Sequence, residues 1–149
     1  MIRKVKYGIT QLKNSTDQEL VELIYDKACE LYFGTFGESL DKADEAISDF
    51  LAIWTLDAEV KNGGFDQFFR NNDIEYGNDV VNGFRRIGAK NFMTLTEKAI
   101  EIFKNQRSEF INKRNPDFDN LDDEYYDFES WENLQIKYIR ENYEKFVVE

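Results

Sequence analysis

The sequence has no histidine, one cysteine and one proline among its 149 residues. Without histidine, the chain cannot build the Ser–His or Cys–His pair that activates a nucleophile, nor a zinc site of His and Cys ligands. Cys29 stands among apolar residues of a predicted helix, which is typical of a small core side chain, and a lone cysteine cannot form an intramolecular disulfide. We therefore expect a protein that is not an enzyme and that has no catalytic residues, no metal site and no cofactor.

Long apolar runs are also missing from the sequence. No segment approaches the roughly 18 apolar residues that a membrane-spanning helix requires. The basic residues near the N-terminus are not followed by the apolar core of a signal peptide. We expect a cytoplasmic protein that does not bind membranes.

Acidic residues outnumber basic residues by 30 to 19, which gives a net charge of −11 at pH 7. Three basic residues, Arg3, Lys4 and Lys6, lie among the first six residues without an acidic neighbour, so the rest of the chain carries −14. A field of this sign repels nucleic acids and anionic lipid headgroups and attracts basic protein surfaces. We therefore expect no direct binding to nucleic acid, and a basic protein as the partner.

The spacing of apolar residues predicts an all-α fold: a single compact domain of six or seven helices over residues 15–149, after an irregular N-terminal arm over residues 1–14. No segment shows the sustained alternation of apolar and polar residues that is expected of a strand. A capping box at Thr16 and Glu19 starts the first helix, which ends at Gly34. The next three helices are predicted from Asp41 or Asp44 to Asn62, from Phe65 to about Asn71 and from about Glu75 to Ile87. The longest helix is predicted from Ala89 to about Lys113. An acidic loop from Asp117 to Asp123 follows, and the last helical region is predicted from Tyr125 to Tyr143 with a break near Glu129.

The segment Asn62 to Gly64 predicts a helix–Gly-Gly–helix corner. Glycine reaches the positive φ that closes a helix without a steric penalty, and asparagine tolerates it better than most residues. The phenylalanines that follow are spaced i, i+3 and i+4 and therefore face one side of the next helix, where they anchor the corner: Phe65, Phe68 and Phe69.

Eight acidic residues and no lysine or arginine lie between Asp117 and Glu132. Three of them could form a calcium-like loop, although the central glycine and the terminal glutamate of such a loop are missing. Acids at a helix N-terminus also stabilise the helix dipole, which alone explains Asp122, Asp123 and Glu124. A third interpretation is a partner-binding face, because carboxylates spaced i, i+3 and i+4 imitate the spacing of phosphates along a nucleic-acid strand. The eight acids of this candidate face are Asp117, Asp119, Asp122, Asp123, Glu124, Asp127, Glu129 and Glu132.

The segment Leu56 to Asn71, which reads LDAEVKNGGFDQFFRN, resembles the signature of the bacterial DNA mimic protein family. Further matches are FRRIGA at residues 84–89, LDDEYY at residues 121–126 and YIREN at residues 138–142. The resemblance implies an all-α fold that is often dimeric. In the characterised member of that family, an acidic surface binds a transcription factor in place of DNA and relieves its repression.

We interpret the signature residues of this chain, Asn62, Gly63, Gly64, Phe65, Gln67 and Phe68, as mainly structural. The polar groups of Gln67 and Asn71 either tie the corner to a neighbouring helix or face a ligand, and we favour the first role.

The leading hypothesis is a non-enzymatic acidic module, monomeric or homodimeric, that mimics DNA on the nucleic-acid-binding surface of a transcription factor or other basic protein. One alternative is an immunity or antitoxin protein against a cationic nuclease toxin. Another is an enzyme that uses paired carboxylates and a divalent metal at Asp117, Asp119 and Asp123. The simplest alternative is a helical domain whose charge serves only solubility.

Overall fold

The computed structural model describes residues 4–33 and 45–148, which form seven α-helices and no strand. The prediction of an all-α fold with six or seven helices is therefore confirmed. The helices are α1 (Ile9–Asn14), α2 (Asp17–Phe33), α3 (Glu45–Asn71), α4 (Ile74–Ile87), α5 (Lys90–Lys104), α6 (Asp119–Asp127) and α7 (Glu132–Glu141). Short 3-10 helices occupy Ser108–Ile111, Pro116–Phe118 and Tyr143–Phe146. None of the helices in these two ranges is long and apolar enough to cross a membrane.

The chain divides into two compact units, and the boundary between them falls inside α3 and again before α7. The terminal unit comprises Met1–Leu51 and Glu132–Glu149, and the central unit comprises Ala52–Trp131.

In the terminal unit, α2 begins at the predicted capping box. Thr16 Oγ1 accepts from the Glu19 N–H, and Glu19 Oε1 accepts from the Thr16 N–H, both at 3.2 Å. The two ends of the chain also meet in this unit. Arg140 on α7 donates to Asp17 Oδ1 at 2.6 Å, and the Tyr7 hydroxyl donates to the Phe146 carbonyl at 2.6 Å.

The predicted irregular arm contains a helix, so that prediction is wrong for Ile9–Asn14. The Leu12 side chain of α1 is fully buried. Six residues are too few for a helix to be stable by propensity alone, so packing of Leu12 is what holds α1 in place. The sequence contains too short a pattern in this segment to reveal that packing.

The central unit is built on α4 and α5, whose aromatic side chains stack at the core. Phe84 and Phe92 lie with ring centroids 5.3 Å apart. Asp73 caps α4 by accepting from the Tyr76 N–H at 2.8 Å, and Gly88 ends it with φ 78°. The predicted bounds of α4, from about Glu75 to Ile87, are confirmed within one residue.

Helix α5 ends at Lys104, so the predicted continuation to Lys113 is wrong. It is also not the longest described helix, because α2 has 17 residues and α5 has 15. The helix stops at Asn105, whose φ of −105° and ψ of 6° depart from helical values. Its backbone N–H still makes the helical bond to the Glu101 carbonyl at 3.2 Å, and its side-chain amide donates to the same carbonyl at 2.9 Å. Asparagines that bond to nearby backbone groups in this way are unfavourable inside helices and favoured in turns.

The predicted acidic loop from Asp117 to Asp123 is also wrong, because this segment is helical. Asn115 Oδ1 accepts from the Asp117 N–H at 2.9 Å, and Pro116 occupies the first helical turn, where its fixed φ is favourable. Helix α6 follows directly, and the predicted break near Glu129 is confirmed by the gap between α6 and α7. The predicted end of the first helix at Gly34 and the predicted start of the second at Asp41 or Asp44 lie outside the described residues.

Candidate functional site

The Gly-Gly corner interrupts α3 inside the central unit, as predicted. Gly63 has φ −160° and ψ 19°, and Gly64 has φ 76° and ψ −176°. The Gly64 conformation is accessible almost only to glycine. After the corner, the side chains of Phe65 and Phe68 are fully buried, and Phe69 stacks on Phe103 with ring centroids 4.6 Å apart.

Asp122 on α6 caps the second half of α3. Its Oδ1 accepts from the Phe65 N–H at 2.9 Å, which satisfies one of the amides that a helix start leaves without a partner. A Cβ at Gly64 would lie 2.2 Å from Asp122 Oδ2, so only glycine leaves room for this carboxylate. Asp122 was predicted as a partner-binding acid, but its side chain is only 14% exposed.

The charge of Asp122 is not fully compensated. Burial raises the pKa of the Asp122 carboxyl, and this effect exceeds the lowering by the Phe65 N–H and by the charge of Arg114. The nearest Arg114 nitrogen lies 4.0 Å from Asp122 Oδ2. Asp122 therefore acts mainly as a hydrogen-bond acceptor at the corner and less as one half of an ion pair.

Two tyrosines of α6 also bind the first half of α3. The Tyr125 hydroxyl donates to Asp57 Oδ1 at 2.6 Å, and Lys61 Nζ lies 2.8 Å from Asp57 Oδ2. Burial, together with the neighbouring Asp57, raises the pKa of Tyr125. Tyr126 is 57% exposed, and its hydroxyl donates to the Val60 carbonyl at 3.3 Å. Helix α6 is thus attached to α3 on both sides of the corner.

The amide side chains of the signature converge on Glu59. Glu59 Oε2 accepts from Gln67 Nε2 at 2.8 Å and from Asn71 Nδ2 at 2.9 Å, and Asn62 Nδ2 donates to Gln67 Oε1 at 3.1 Å. A Cβ at Gly63 would lie 2.2 Å from Gln67 Oε1. The cluster links the two halves of α3 across the corner. Among the described residues, these side chains bond to α3 itself and to no neighbouring helix.

Asp66 and Asn115 form a second buried polar link that the sequence analysis did not identify. Asp66 Oδ1 accepts from the Asn115 N–H at 2.9 Å, and Asp66 Oδ2 lies 2.7 Å from Arg70 Nε. Asn115 is fully buried, and its Nδ2 donates to Gln106 Oε1 at 3.1 Å. In the sequence, Asp66 and Gln67 directly after the corner could have indicated this link, because polar side chains inside a cluster of phenylalanines need internal partners.

The eight acids of the candidate face lie in four different segments of the structure. Asp117 lies in the 3-10 helix before α6, and Glu129 lies in the segment after α6; both are exposed. Helix α6 carries Asp119, Asp122, Asp123, Glu124 and Asp127, all exposed except Asp122. Glu132 begins α7 and belongs to the terminal unit. The central unit therefore presents six exposed carboxylates from this run.

Only one of the six exposed carboxylates in the central unit has a basic partner in the parts of the chain that are described. Asp119 forms an ion pair with Arg114. The side chains of Asp123, Glu124 and Asp127 make no hydrogen bond or ion pair within residues 4–33 and 45–148. In the same ranges, no group of three His, Cys, Asp or Glu side chains is arranged to hold a metal ion. Among the described residues, Asp123, Glu124 and Asp127 therefore have no internal partner to give up when a cationic surface approaches.

A model of the DMP19-like protein family matches residues 41–142, which is more than half of the chain. This match confirms the resemblance to the DNA mimic proteins and includes the corner, α6 and α7. No curated protein and no solved structure matches the chain significantly.

We predict that Gly64→Ala is more destabilising than Gly88→Ala. Both glycines have positive φ, but a Cβ at Gly88 would meet nothing within 4 Å. We expect about 1–2 kcal/mol for Gly88→Ala from the backbone alone. For Gly64→Ala we expect about 2–4 kcal/mol, because Asp122 must also move away from the Phe65 N–H. Urea denaturation of the full chain measures both values, and equal losses would contradict the contact with Asp122.

We predict different changes in the free energy of unfolding for two substitutions of Asp122. Asp122→Ala removes the acceptor of the Phe65 N–H and should cost about 1–2 kcal/mol of unfolding free energy. Asp122→Asn keeps an acceptor and removes a buried charge, so at pH 7 it should cost less than about 0.5 kcal/mol or stabilise the fold. Urea denaturation at pH 7 distinguishes these outcomes, with Asp123→Ala as the exposed control.

The difference in stability between the wild type and Asp122→Asn should depend on pH. A carboxyl whose pKa is raised in the folded state stabilises the fold below its unfolded pKa, and this contribution is lost as the pH rises through its folded pKa. The stability of the wild type relative to Asp122→Asn should therefore rise as the pH falls from 7 towards 4. A fall over that range would show that the Asp122 carboxylate is stabilised by the fold.

Proposed function

Because the chain belongs to the DMP19-like protein family, we propose that it is a non-enzymatic acidic module that mimics DNA and occupies the nucleic-acid-binding surface of a basic protein such as a transcription factor. The observation that supports this most directly is the set of exposed carboxylates on α6 in a stretch without lysine or arginine, from residue 115 to residue 136.

The spacing of these carboxylates is suited to binding by a partner surface that recognises phosphates. Asp119, Asp123 and Asp127 follow one another at i and i+4, and Glu124 stands three residues before Asp127. Side chains at such positions have Cβ atoms roughly 5–6 Å apart on one side of a helix. A protein that binds a row of phosphates through lysine and arginine meets a comparable row of negative charges here.

Helix α6 is also held firmly enough to present the carboxylates in a fixed arrangement. Asp122 and Tyr125 attach it to the two halves of α3, and Phe65 and Tyr125 contact edge to face with centroids 6.1 Å apart. A preorganised charge array loses less conformational entropy on binding than carboxylates on a mobile loop. This is the physical advantage of building a DNA-like surface on a helix.

Affinity capture from the native host at low salt tests the proposal. We expect to recover a basic, nucleic-acid-binding protein that the chain displaces from its DNA in a gel-shift titration. Increasing salt should weaken the complex, because both charged surfaces regain their counterions. Recovery of no basic protein, or of one that binds DNA and this chain simultaneously, would contradict DNA mimicry. Recovery of a nuclease toxin would favour the immunity alternative.

A charge-neutral variant of α6 tests where that partner binds. We predict that Asp123→Asn, Glu124→Gln and Asp127→Asn together weaken the captured complex about tenfold or more, mainly through slower association, and flatten its salt dependence. The control combines Glu75→Gln, Glu97→Gln and Glu144→Gln, which remove the same charge from exposed sites outside the acid run. Surface plasmon resonance at several salt concentrations measures both. Equal losses would mean that only net charge matters and that α6 is not the binding face.

A further inference from the structure

We propose that Tyr126 makes α6 select arginine over lysine in the partner that binds this helix. The inference rests on the proposed function, because it concerns the same surface. Tyr126 follows Asp123 by three residues and directly precedes Asp127, so its ring stands on the side of α6 that carries exposed carboxylates. Tyr126 is 57% exposed, the second highest value among the large hydrophobic side chains of the described residues. Phosphates along DNA offer a partner no such ring.

The attachment of α6 to α3 does not account for an aromatic ring at position 126. The Tyr126 hydroxyl donates to the Val60 carbonyl at 3.3 Å, which is longer than the about 2.5–3.0 Å of an ordinary O–H···O hydrogen bond. The neighbouring Tyr125 hydroxyl makes a bond of 2.6 Å to Asp57 and is the stronger link. Tyr126 therefore contributes little to the position of α6, and its exposed ring is accessible to a partner.

The charges around Tyr126 favour a cation as the group that covers its ring. Within residues 4–33 and 45–148, no cation lies over this ring. Arg114 is already paired with Asp119, and Lys61 on α3 is paired with Asp57 at 2.8 Å. Three carboxylates of α6 have no hydrogen bond or ion pair in the same ranges: Asp123, Glu124 and Asp127. The negative charge beside the ring is therefore left for a cation of the partner to neutralise.

Arginine can use the ring and a carboxylate of α6 at the same time. Its planar guanidinium stacks on an aromatic face and keeps N–H donors for a bidentate bond to a carboxylate, whereas the lysine ammonium is a compact and strongly hydrated charge. A cation held over an exposed tyrosine ring strengthens binding about two- to fivefold. The carboxylates alone distinguish the two cations less, because exposed ion pairs contribute little with either. Tyrosine and arginine are also enriched among the residues that dominate binding energy at interfaces.

The test uses the full chain and two terminally blocked octapeptides of equal charge. In one peptide four arginines alternate with serine, and in the other four lysines take their places. NMR titrations at low and at physiological salt measure Kd for both. We expect saturable binding of both peptides at low salt, with the arginine peptide about two- to fivefold tighter. Amide chemical-shift changes should centre on residues 119–127, and the ring signals of Tyr126 should move further with the arginine peptide.

Two variants at the same position separate the ring from the hydroxyl. Tyr126→Leu removes the ring and should remove most of the arginine preference, while both peptides still bind in a salt-dependent way through the carboxylates. Tyr126→Phe keeps the ring, loses the hydrogen bond to Val60 and should retain the preference. A purely structural role of Tyr126 would change the Kd of both peptides by the same factor. Urea denaturation of both variants checks that the fold is intact.

Four results would overturn the proposal: no saturable binding of either peptide, equal binding of the two peptides, an unchanged preference in Tyr126→Leu, or an equal loss in Tyr126→Phe. The last result would assign the effect to the hydroxyl and not to the ring. The inference can fail while DNA mimicry holds, because a DNA-binding partner can contact α6 through lysines. It can also succeed while DNA mimicry fails, if the captured partner contacts α6 through arginines but does not bind nucleic acid.

Discussion

The hydrogen bond from the Phe65 N–H to the Asp122 carboxylate determines the arrangement of the central unit. It is possible only because Gly64 has no Cβ and adopts a backbone conformation that other residues avoid. With this contact made, α3 restarts in a new direction and buries Phe65 and Phe68. The same contact fixes α6 beside the corner, where Tyr125 reaches Asp57. The shape of the corner and the position of the acidic helix are therefore consequences of one interaction.

That dependence also explains which features the sequence could predict. Local signals were sufficient for the capping box at Thr16, for the end of α4 at Gly88 and for the corner itself, because each of these is decided by neighbouring residues. The role of Asp122 was hidden, since its partner lies 57 positions away in the chain. An acid in a run of acids has the same local pattern whether it caps a distant helix or faces solvent. Helix α1 was missed for a related reason: burial of Leu12 stabilises it, and six residues are too few to show a helical period.

The extents of α5 and α6 were mispredicted because both bounds lie at asparagines, which the spacing of apolar residues does not reveal. Helix α5 stops at Asn105, although Phe103 and Phe110 stand seven residues apart, which is a helical spacing. Asn115 then starts the next helical turn, and Asp66 accepts its backbone N–H. The acids after Asn115 were predicted as a loop, yet acids in a first turn favour a helix. Single asparagines therefore mark the end of α5 and the start of the helical segment that carries the acids.

Net charge alone is a poor guide to what such a protein binds. A charge of −11 describes the field far from the surface, where a partner is attracted or repelled before contact. At contact, interactions beyond about 8 Å are screened, so the local set of side chains decides. Within the central unit these sets differ in sign: α6 exposes Asp123, Glu124 and Asp127, which have no basic partner among the described residues, whereas residues 104–114 carry +3. The division of charge between α6 and residues 104–114, and not the total charge, therefore decides what each of these segments attracts at contact.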